Sequence, residues 1–364
     1  MNLILRIEKF PKYMLFLFSL VIVFSFGFLD YLTGTDFSFY IFYVIPVLFI
    51  VWFAGKEYGF LLCLICLIPW FIDAFFLRDI EIKYSSLVWN IFVEFSFFVI
   101  LIFSVSALKK AVRKQQEAEK QKITRELEIA KEVQQKLFPQ TKPEVNRLDY
   151  SGFCKPAEAV GGDYYDYFRI NKFETAFAIG DIAGHGLPSA LLMAGLVGFV
   201  RSNAVVFNED LSAFMDKVNK LMCESTDGSK FATFFYSVYN SETGILRFVN
   251  AGHNPPLLLK AKTNSFEELK TDGFLIGAVS NFDYKVSSVK LDKGDLLVCY
   301  TDGITESFNP KDEQFGTERL KNTLEKNRTL NTKDLCEKII CDVKMFSDGR
   351  EQADDMTLLA LKIF

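Results

Sequence analysis

The sequence predicts a transmembrane bundle of four helices, a helical linker, and an α+β domain in which helices cover two β-sheets. Three observations predict this organisation. Half of the 364 residues are hydrophobic, and these are concentrated before residue 107, whereas most charged residues follow it. The next thirty residues are rich in Glu, Lys and Gln and contain no Gly or Pro. After Pro139, short β-branched and aromatic segments alternate with turn residues.

Four apolar stretches have close to the length that a helix needs to cross a bilayer. We predict spanning helices at about residues 14–29, 40–54, 58–77 and 87–108. A cleaved signal peptide is the alternative for the first stretch, but no small-residue cleavage site follows it. The first 108 residues are therefore predicted to form a transmembrane bundle.

The distribution of charge predicts the orientation of this bundle. Basic residues lie before the first span and after the fourth, whereas the loop at residues 30–36 is acidic. Since basic flanks stay in the cytoplasm, the N-terminus and the C-terminal domain are both predicted to be cytoplasmic. Asp73 and Glu94 fall within spans, where a carboxylate is either functional or satisfied by snorkelling and interhelical hydrogen bonds. The basic residues are Arg6, Lys9, Lys12, Lys109, Lys110, Arg113 and Lys114.

Composition excludes several other functions. The net charge is −4, so the chain lacks the basic field that nucleic-acid binding requires. The seven cysteines have no disulfide-like spacing and are interpreted as reduced thiols. Cys63 and Cys66 have the spacing of a metal-binding pair, but their apolar surroundings favour helix packing. No GxGxxG or GxxxxGK[ST] motif supports a nucleotide-binding loop.

Residues 109–140 are predicted to form a helical linker. Ile123, Leu127, Ala130 and Leu137 are separated by four, three and seven residues, which is a short heptad seam. Two interpretations remain open: a dimeric coiled coil, or an amphipathic helix that packs against its own domain. In both cases the helix connects the last span to the C-terminal domain.

Residues 141–364 have the pattern of an α+β domain. Eight short segments, from LDYSGFC to MTLLALKI, have the composition of strands. Because the strands occur in runs with helices grouped between them, two layered sheets fit better than regular βαβ alternation. Amphipathic helices are predicted at about residues 189–205, 211–223, 317–326 and 332–346.

Acidic residues lie at several predicted strand ends, close to glycines. Asp163 follows two glycines, Asp181 and Asp302 each end a strand, and Asp354 and Asp355 open the last strand. Carboxylates in such positions can converge on hard cations such as Mg²⁺ or Mn²⁺. A single Asp there is usually a solvated turn residue, whereas four such places in one domain favour a shared metal site.

The two histidines, His185 and His253, disfavour a His-rich zinc or iron site by their small number. Both lie in glycine-flanked loops, where each either acts near the site or forms loop hydrogen bonds. Two hard cations bridged by a carboxylate lower the pKa of a shared water and bind phosphoryl oxygens. Phosphate-ester hydrolysis of this kind needs no protein nucleophile, and the sequence offers no convincing Ser-His-Asp or Cys-based constellation.

Seven ordered motifs in residues 129–364 together resemble the SpoIIE/RsbU-type branch of the type 2C metal-dependent serine/threonine phosphatases. The motifs are EIAKEVQQKLFP, AVGGDYYDYF, GDIAGHGLPSALLMA, KFATFFYSVYN, GILRFVNAGHNPPLLL, GDLLVCYTDGITES and DDMTLLALKI. The resemblance implies an αββα sandwich with two metal ions at one end. It also implies a phosphoserine or phosphothreonine substrate on a small anti-sigma-factor antagonist, and a linker helix that controls dimerisation and metal-site assembly. The preceding segment resembles a membrane module of bacterial signalling enzymes, which implies the bacterial inner membrane.

The resemblance also implies a role for individual acids. Asp181 would bridge two Mn²⁺ or Mg²⁺ ions, with help from the backbone carbonyl of Ile182. Asp302 and Asp354 would complete the shell of one ion. Asp163 would serve the other ion, directly or through water.

Further residues are candidates around this centre. Asp355 is the alternative ligand to Asp354, and Gly162 and Gly184 would permit tight backbone geometry. The motifs contain no clear Arg for gripping a substrate phosphate, so the metal ions would hold it, with Lys155 or Arg201 as substitutes.

The function favoured by these residues is metal-dependent phosphoprotein hydrolysis. The expected partners are the phosphorylated substrate protein, membrane lipid and a second copy of the chain, but not nucleic acid. The alternative function is a catalytically silent phosphatase-like module that binds a signalling partner. All four predicted ligand positions are Asp, whereas loss of activity is commonly accompanied by loss of metal ligands. The enzyme is therefore the favoured interpretation.

Overall fold

The computed structural model describes residues 7, 9–33, 40–72, 84–226, 228 and 230–364. The chain divides into two compact units, residues 1–123 and 124–364. Some sequence predictions lie outside the described residues: those for Arg6, Asp36 and Asp73, and for residues 73–77 of the third predicted span.

Apolar helices form the first unit. Helix α1 is Lys12–Thr33, a 3-10 turn at Tyr40–Tyr43 leads into α2 at Val44–Phe53, and α3 is Lys56–Ile72. Helix α4 begins at Tyr84 and ends at Leu137, so the fourth predicted span and the predicted linker form one continuous helix. The second predicted span is realised as the 3-10 turn and α2, which are shorter together than the roughly 20 residues of a typical span.

The helices of the first unit bury a small apolar core and expose apolar outer faces. Leu62 and Ile102 are fully buried in this core. A Cβ at Gly59 would lie 2.3 Å from Val51 Cγ2, so the glycine permits α2 and α3 to approach closely. Phe18 and Val21 are more than half exposed, as expected of side chains that face lipid.

Among the residues that the structure describes, three helices are long and apolar enough to cross a membrane: Lys12–Thr33, Val88–Leu137 and Leu187–Ala204. The third contributes Met193 and Leu196 to the core of the second unit, so its apolar character is explained by burial there. The other two, with the exposed apolar faces beside them, support membrane association. The number of spans and their orientation stay predictions. Glu94 is nearly buried within the first unit, at 9% exposure.

Two antiparallel sheets form the centre of the second unit. Sheet A has the strand order β1-β10-β9-β6-β7, and sheet B has the order β2-β3-β4-β5-β8. The strands of sheet A are β1 Leu148–Lys155, β6 Leu257–Lys260, β7 Ser265–Glu268, β9 Leu296–Tyr300 and β10 Met356–Ile363. Those of sheet B are β2 Tyr164–Arg169, β3 Glu174–Ile182, β4 Ala232–Asn240, β5 Ile245–Ala251 and β8 Ser287–Lys290.

Alternating side chains divide the interior into three apolar layers. Between the sheets, Tyr150 of sheet A packs edge-on against Phe177 of sheet B. The opposite face of sheet B is covered by α5 and α6, and the opposite face of sheet A by α8 and α9. The predicted αββα sandwich is therefore confirmed. The remaining helices are α5 Leu187–Ala204, α6 Leu211–Glu224, the short α7 Asp302–Thr305, α8 Gly316–Lys326 and α9 Thr332–Ser347.

The four predicted helices of this domain correspond to α5, α6, α8 and α9. The short edge strands β7 and β8 were not predicted, since four residues with largely exposed side chains give too weak a periodic signal. All seven cysteines are free thiols.

Candidate metal centre

The strand pairing brings the predicted acids to one end of the sandwich. In sheet B, Tyr164 pairs with Gly180, so Asp163 lies beside Asp181 one step further along. In sheet A, Leu358 pairs with Tyr300, and the chain segments beyond this pair carry the other acids. Those acids are Asp302, which follows β9, and Asp354 and Asp355, which precede β10.

Asp163 links the two sheets at this end. Its side chain is buried, and its Oδ2 accepts a hydrogen bond of 2.8 Å from the Thr301 hydroxyl of sheet A. Burial and then the charge of Asp181 raise the pKa of Asp163 well above its usual range, although the hydrogen bond from Thr301 opposes the shift. The carboxylate is thus held in one orientation and crowded by a like charge.

Asp181 has more acidic neighbours acting on its pKa than the other candidate ligands have. Burial raises the pKa of Asp181 to about 7, and the charges of Asp302, Asp354 and Asp355 act in the same direction. Burial and then the charge of Glu306 raise the pKa of Asp302. Burial, followed by Asp302 and Asp355, likewise raises the pKa of Asp354, against the hydrogen bond from the Asp355 N–H. These carboxylates therefore repel one another when they are ionised.

A group of mutually repelling carboxylates fits a hard divalent cation, which would neutralise them with the oxygen ligands it prefers. Within residues 84–226, 228 and 230–364, no three His, Cys, Asp or Glu side chains converge tightly enough to enclose an ion by themselves. Mg²⁺ usually keeps several water ligands and binds one or two carboxylates. The donors therefore fit Mg²⁺ or Mn²⁺ with water and backbone oxygen completing the shell.

Asp354 and Asp355 differ in what their carboxylates do. Asp355 is buried: its Oδ1 accepts from the Ala157 N–H at 2.8 Å, and its Oδ2 from the N–H groups of Gly162 at 2.8 Å and Asp163 at 3.3 Å. It thereby fixes the backbone that carries Asp163. The side chain of Asp354 is exposed, and its Oδ1 accepts the Asp355 N–H at 2.8 Å. Asp354 thus has oxygen available for an ion, whereas Asp355 organises the loop.

Both predicted glycines occupy crowded positions. A Cβ at Gly162 would lie 2.9 Å from the Ile182 carbonyl oxygen, so the glycine lets these two loops meet. Gly184 has a φ of +99°, and a Cβ there would lie 2.5 Å from Nζ of Lys230. Lys230 Nζ also donates to the Ala183 carbonyl at 3.1 Å, which fixes the backbone just after Ile182.

The two histidines have different surroundings. His185 is exposed, with Nδ1 2.9 Å from Glu158 Oε1, and it lies close enough to Asp354 for its charge to lower the pKa of that acid. His253 is buried, and burial lowers its pKa to about 3. Its Nδ1 is 2.8 Å from the Thr233 hydroxyl. His185 therefore lies near Asp354, one of the candidate metal ligands, whereas His253 is a neutral loop residue.

Arg201, one of the two substitutes considered for gripping phosphate, binds elsewhere. Its guanidinium forms two hydrogen bonds to the buried Asp166, at 2.7 and 3.1 Å, and one to the Leu137 carbonyl at 3.0 Å. Leu137 and Phe138 also pack against the core of sheet B. The end of α4 therefore packs on its own domain, as one interpretation of the heptad seam predicted; dimerisation stays a prediction.

Gln134 is a residue that the sequence analysis missed. It is buried, its Nε2 donates to the Gly161 carbonyl at 2.7 Å, and its Oε1 accepts the Gly161 N–H at 3.2 Å. The side chain thus joins helix α4 to the loop that carries Asp163. The available signal was its position in the heptad seam, where a polar residue stands four residues after Ala130 and three before Leu137.

We expect Gln134→Leu to raise the Mn²⁺ concentration needed for half-maximal hydrolysis by roughly tenfold, because two buried backbone groups of Gly161 lose their partner at about 1 kcal/mol each. A Mn²⁺ titration of the phosphate-ester hydrolysis that the resemblance implies, with para-nitrophenyl phosphate as substrate, measures this shift. Gln135→Leu, at the exposed neighbouring position, is the matched control and should leave the midpoint unchanged. Equal midpoints for Gln134→Leu and wild type would contradict the role of this contact.

The αββα fold, with the carboxylates of Asp163, Asp181, Asp302 and Asp354 at one end, defines a type 2C metal-dependent serine/threonine protein phosphatase. The sequence model of Stage II sporulation protein E (SpoIIE) matches residues 171–364. The chain therefore belongs to the SpoIIE family. Phosphoserine phosphatase RsbU of Bacillus subtilis (strain 168) is 30% identical over 244 residues, which cover 66% of this chain and 71% of RsbU.

Other comparisons cover a similar share of the chain. Protein IcfG of Synechocystis sp. is 29% identical over 266 residues, which cover 65% of this chain and 41% of IcfG. The SiaA-PP2C domain of Pseudomonas aeruginosa has a similar fold, with a TM-score of 0.61 and 21% identity; the match covers 68% of this chain and 99% of that domain.

Proposed function

We propose that this chain is a membrane-anchored phosphatase that hydrolyses phosphoserine or phosphothreonine on a regulatory protein, with water activated by two metal ions. The observation that carries the proposal is the convergence of like-charged carboxylates from four strand ends at one end of the sandwich: Asp163 is buried, Asp181 and Asp302 are half-buried, and Asp354 is exposed. Similarity to a relative named phosphoserine phosphatase supports the substrate class.

The proposed ligand roles are those that the resemblance to type 2C phosphatases implies. Asp181 would bridge two Mn²⁺ or Mg²⁺ ions, together with the Ile182 carbonyl. Asp302 and Asp354 would hold one ion, and Asp163 the other. When bound, two such ions lower the pKa of a water and neutralise phosphoryl oxygens. The hydrogen bonds that occupy both oxygens of Asp355 favour Asp354 as the ligand.

The residues around the acids have supporting tasks. Thr301 orients Asp163 across the two sheets through its 2.8 Å hydrogen bond. Lys230 and Gly184 hold the backbone after Ile182 in a single conformation. A rigid set of oxygen donors costs less reorganisation when substrate charge develops, which is the condition for electrostatic catalysis.

The proposal for the cellular setting is a bacterial inner membrane, with the catalytic domain in the cytoplasm. An anti-sigma-factor antagonist is the proposed class of substrate protein, and a homodimer through α4 the proposed assembly. The exposed apolar faces of the first unit support the membrane anchor. Since helix α4 extends from Tyr84 to Leu137, a signal received in the membrane has a direct covalent route toward Gln134.

The test uses the full chain in detergent micelles, with para-nitrophenyl phosphate and a phosphoserine peptide as substrates. We expect turnover with Mn²⁺ or Mg²⁺ and its loss with EDTA. Returning the metal to the EDTA-treated protein should restore turnover, which controls for denaturation. Absence of turnover with either metal, for a folded chain, would instead favour a phosphatase-like module that only binds its partner.

A further inference from the structure

A cleft of about 370 Å³ adjoins the candidate metal centre on the side of Asp354. Its walls come from the end of β1 at Lys155, the chain that follows α7, the last turn of α9 at Lys344, and the loop that precedes β10. These segments are far apart in sequence but come together next to Asp354. A chain that places a phosphoserine at the acids therefore has a path along this cleft.

Cationic side chains without acidic partners line the cleft. Lys155 and Lys344 are exposed, and within the part of the chain that the structure describes neither forms an ion pair. Arg350 also lines it, but pairs with Asp312 at 2.6 Å. The two lysines are thus available for carboxylates that a ligand would bring.

The acidic lining residues lie mainly toward the metal centre. Asp354 is a proposed ligand, and Glu306 is close enough to Asp302 for its charge to act on that acid. Bound cations would offset both of these charges. The charges of the lining that are then left without a partner are one negative charge, on Glu351, and two positive charges, on Lys155 and Lys344. The cleft is therefore expected to favour anionic segments.

Gln352 provides an independent feature of the same cleft. Its Nε2 donates to the Lys155 carbonyl at 2.8 Å and to the Asp354 carbonyl at 2.7 Å, which ties the end of β1 to the segment before β10. These hydrogen bonds fix the backbone that carries Lys155, so this lysine is held in position at the cleft.

We infer that this cleft binds the acidic residues flanking the phosphoserine of the protein substrate, through Lys155 and Lys344. The inference rests on the proposed phosphatase function and gives it a sequence preference. Lys155 and Lys344 pair with substrate carboxylates, and Gln352 positions Lys155 through the backbone. Because the ion pairs are exposed, the preference should weaken as salt increases.

The experiment compares two synthetic phosphoserine peptides, one with Glu and one with Lys at the flanking positions, on the full-length protein in detergent. We expect the Glu-flanked peptide to have the higher kcat/KM. The ratio of its kcat/KM to that of para-nitrophenyl phosphate should fall about threefold in Lys344→Gln and about tenfold in the double variant with Lys155→Gln, given the strength of exposed ion pairs. The loss should appear in KM.

Lys333→Gln is the matched control, since Lys333 is exposed in the first turn of the same helix α9 and does not line the cleft. This variant should keep the wild-type ratio. An unchanged ratio in the double variant, with para-nitrophenyl phosphate still hydrolysed, would overturn the inference about the cleft and leave the phosphatase function standing.

A binding measurement separates the two proposals further. Fluorescence anisotropy of the labelled Glu-flanked peptide should show binding that is weakened about tenfold in the double variant, whether or not the peptide is hydrolysed. Loss of all metal-dependent hydrolysis with this binding pattern retained would overturn the phosphatase proposal alone. Equal affinities for the Glu-flanked and Lys-flanked peptides would overturn the inference.

Discussion

Asp181→Asn is expected to reduce metal-dependent turnover at least about 10³-fold, because a bridging charge between two cations is worth several kcal/mol in the transition state. The substitution keeps the size of the side chain and removes its charge. Hydrolysis of para-nitrophenyl phosphate in saturating Mn²⁺ measures the effect. Asp216→Asn, on the exposed face of α6, is a matched control that should keep wild-type turnover. Substantial activity in Asp181→Asn would mean that the site is arranged differently.

The same variant should be more stable than wild type when metal is absent, and the difference should grow with pH. The pKa of Asp181 is raised to about 7 in the folded state from 3.8. Between these pH values the unfolded chain loses its proton first, so the free energy of unfolding of wild type falls as pH rises. The effect is on the order of 3 kcal/mol between pH 4 and pH 8 and is shared with the neighbouring acids.

Thermal unfolding in EDTA at several pH values measures this difference. His253 acts in the opposite direction: its pKa is lowered to about 3 from 6.5, so its contribution to stability is lost as pH falls below 6.5. Because both proteins contain His253, subtracting the wild-type curve from the Asp181→Asn curve removes its contribution. A difference that does not change with pH would contradict the crowding of charge around Asp181.

Asp354→Ala and Asp355→Ala are expected to have opposite consequences, although the two residues are adjacent. Asp355→Ala should lower the free energy of unfolding by about 3 kcal/mol, because the buried N–H groups of Gly162 and Asp163 and the part-buried N–H of Ala157 lose their acceptor. Asp354→Ala should leave stability nearly unchanged and reduce turnover at least about 10²-fold, because an ion loses a ligand.

Chemical denaturation in EDTA measures the first effect, and turnover in Mn²⁺ measures the second. Asp272→Ala, at an exposed loop position without a left-handed backbone, should change neither quantity and serves as the control. If Asp354→Ala were the destabilised variant and Asp355→Ala the stable but inactive one, the assignment of ligand and loop acceptor would have to be exchanged.

Local sequence patterns were sufficient to predict the layers of the sandwich. Segments such as TAFAIG and TFFYSVYN are β-branched and aromatic runs, and their strands are buried on both faces because each face is covered by another layer. Helix α9 was predicted nearly to its ends for the same reason, because one face is apolar. The 3-10 turn before α2 was not predicted, since hydropathy reports apolar character and not helix geometry.

Only part of the candidate site could be predicted from the sequence. Acids at strand ends next to glycines identified Asp163, Asp181 and Asp302, since these features lie within a few residues of one another in the chain. The sequence could not distinguish Asp354 from Asp355, because both precede the same strand. Their difference comes from the loop at residues 157–163, which is nearly two hundred residues away in the chain.

By itself the sequence determined the apolar segments, the strands and helices of the sandwich and the set of carboxylates, because each depends on side-chain periodicity or on neighbouring residues. The tertiary structure decided which atoms meet. In the folded domain Asp355 accepts hydrogen bonds from three N–H groups, Gln134 is hydrogen-bonded to Gly161, and Arg201 is hydrogen-bonded to Asp166. These contacts join distant segments, and hydrogen bonds depend on distances and angles that only the packed layers fix.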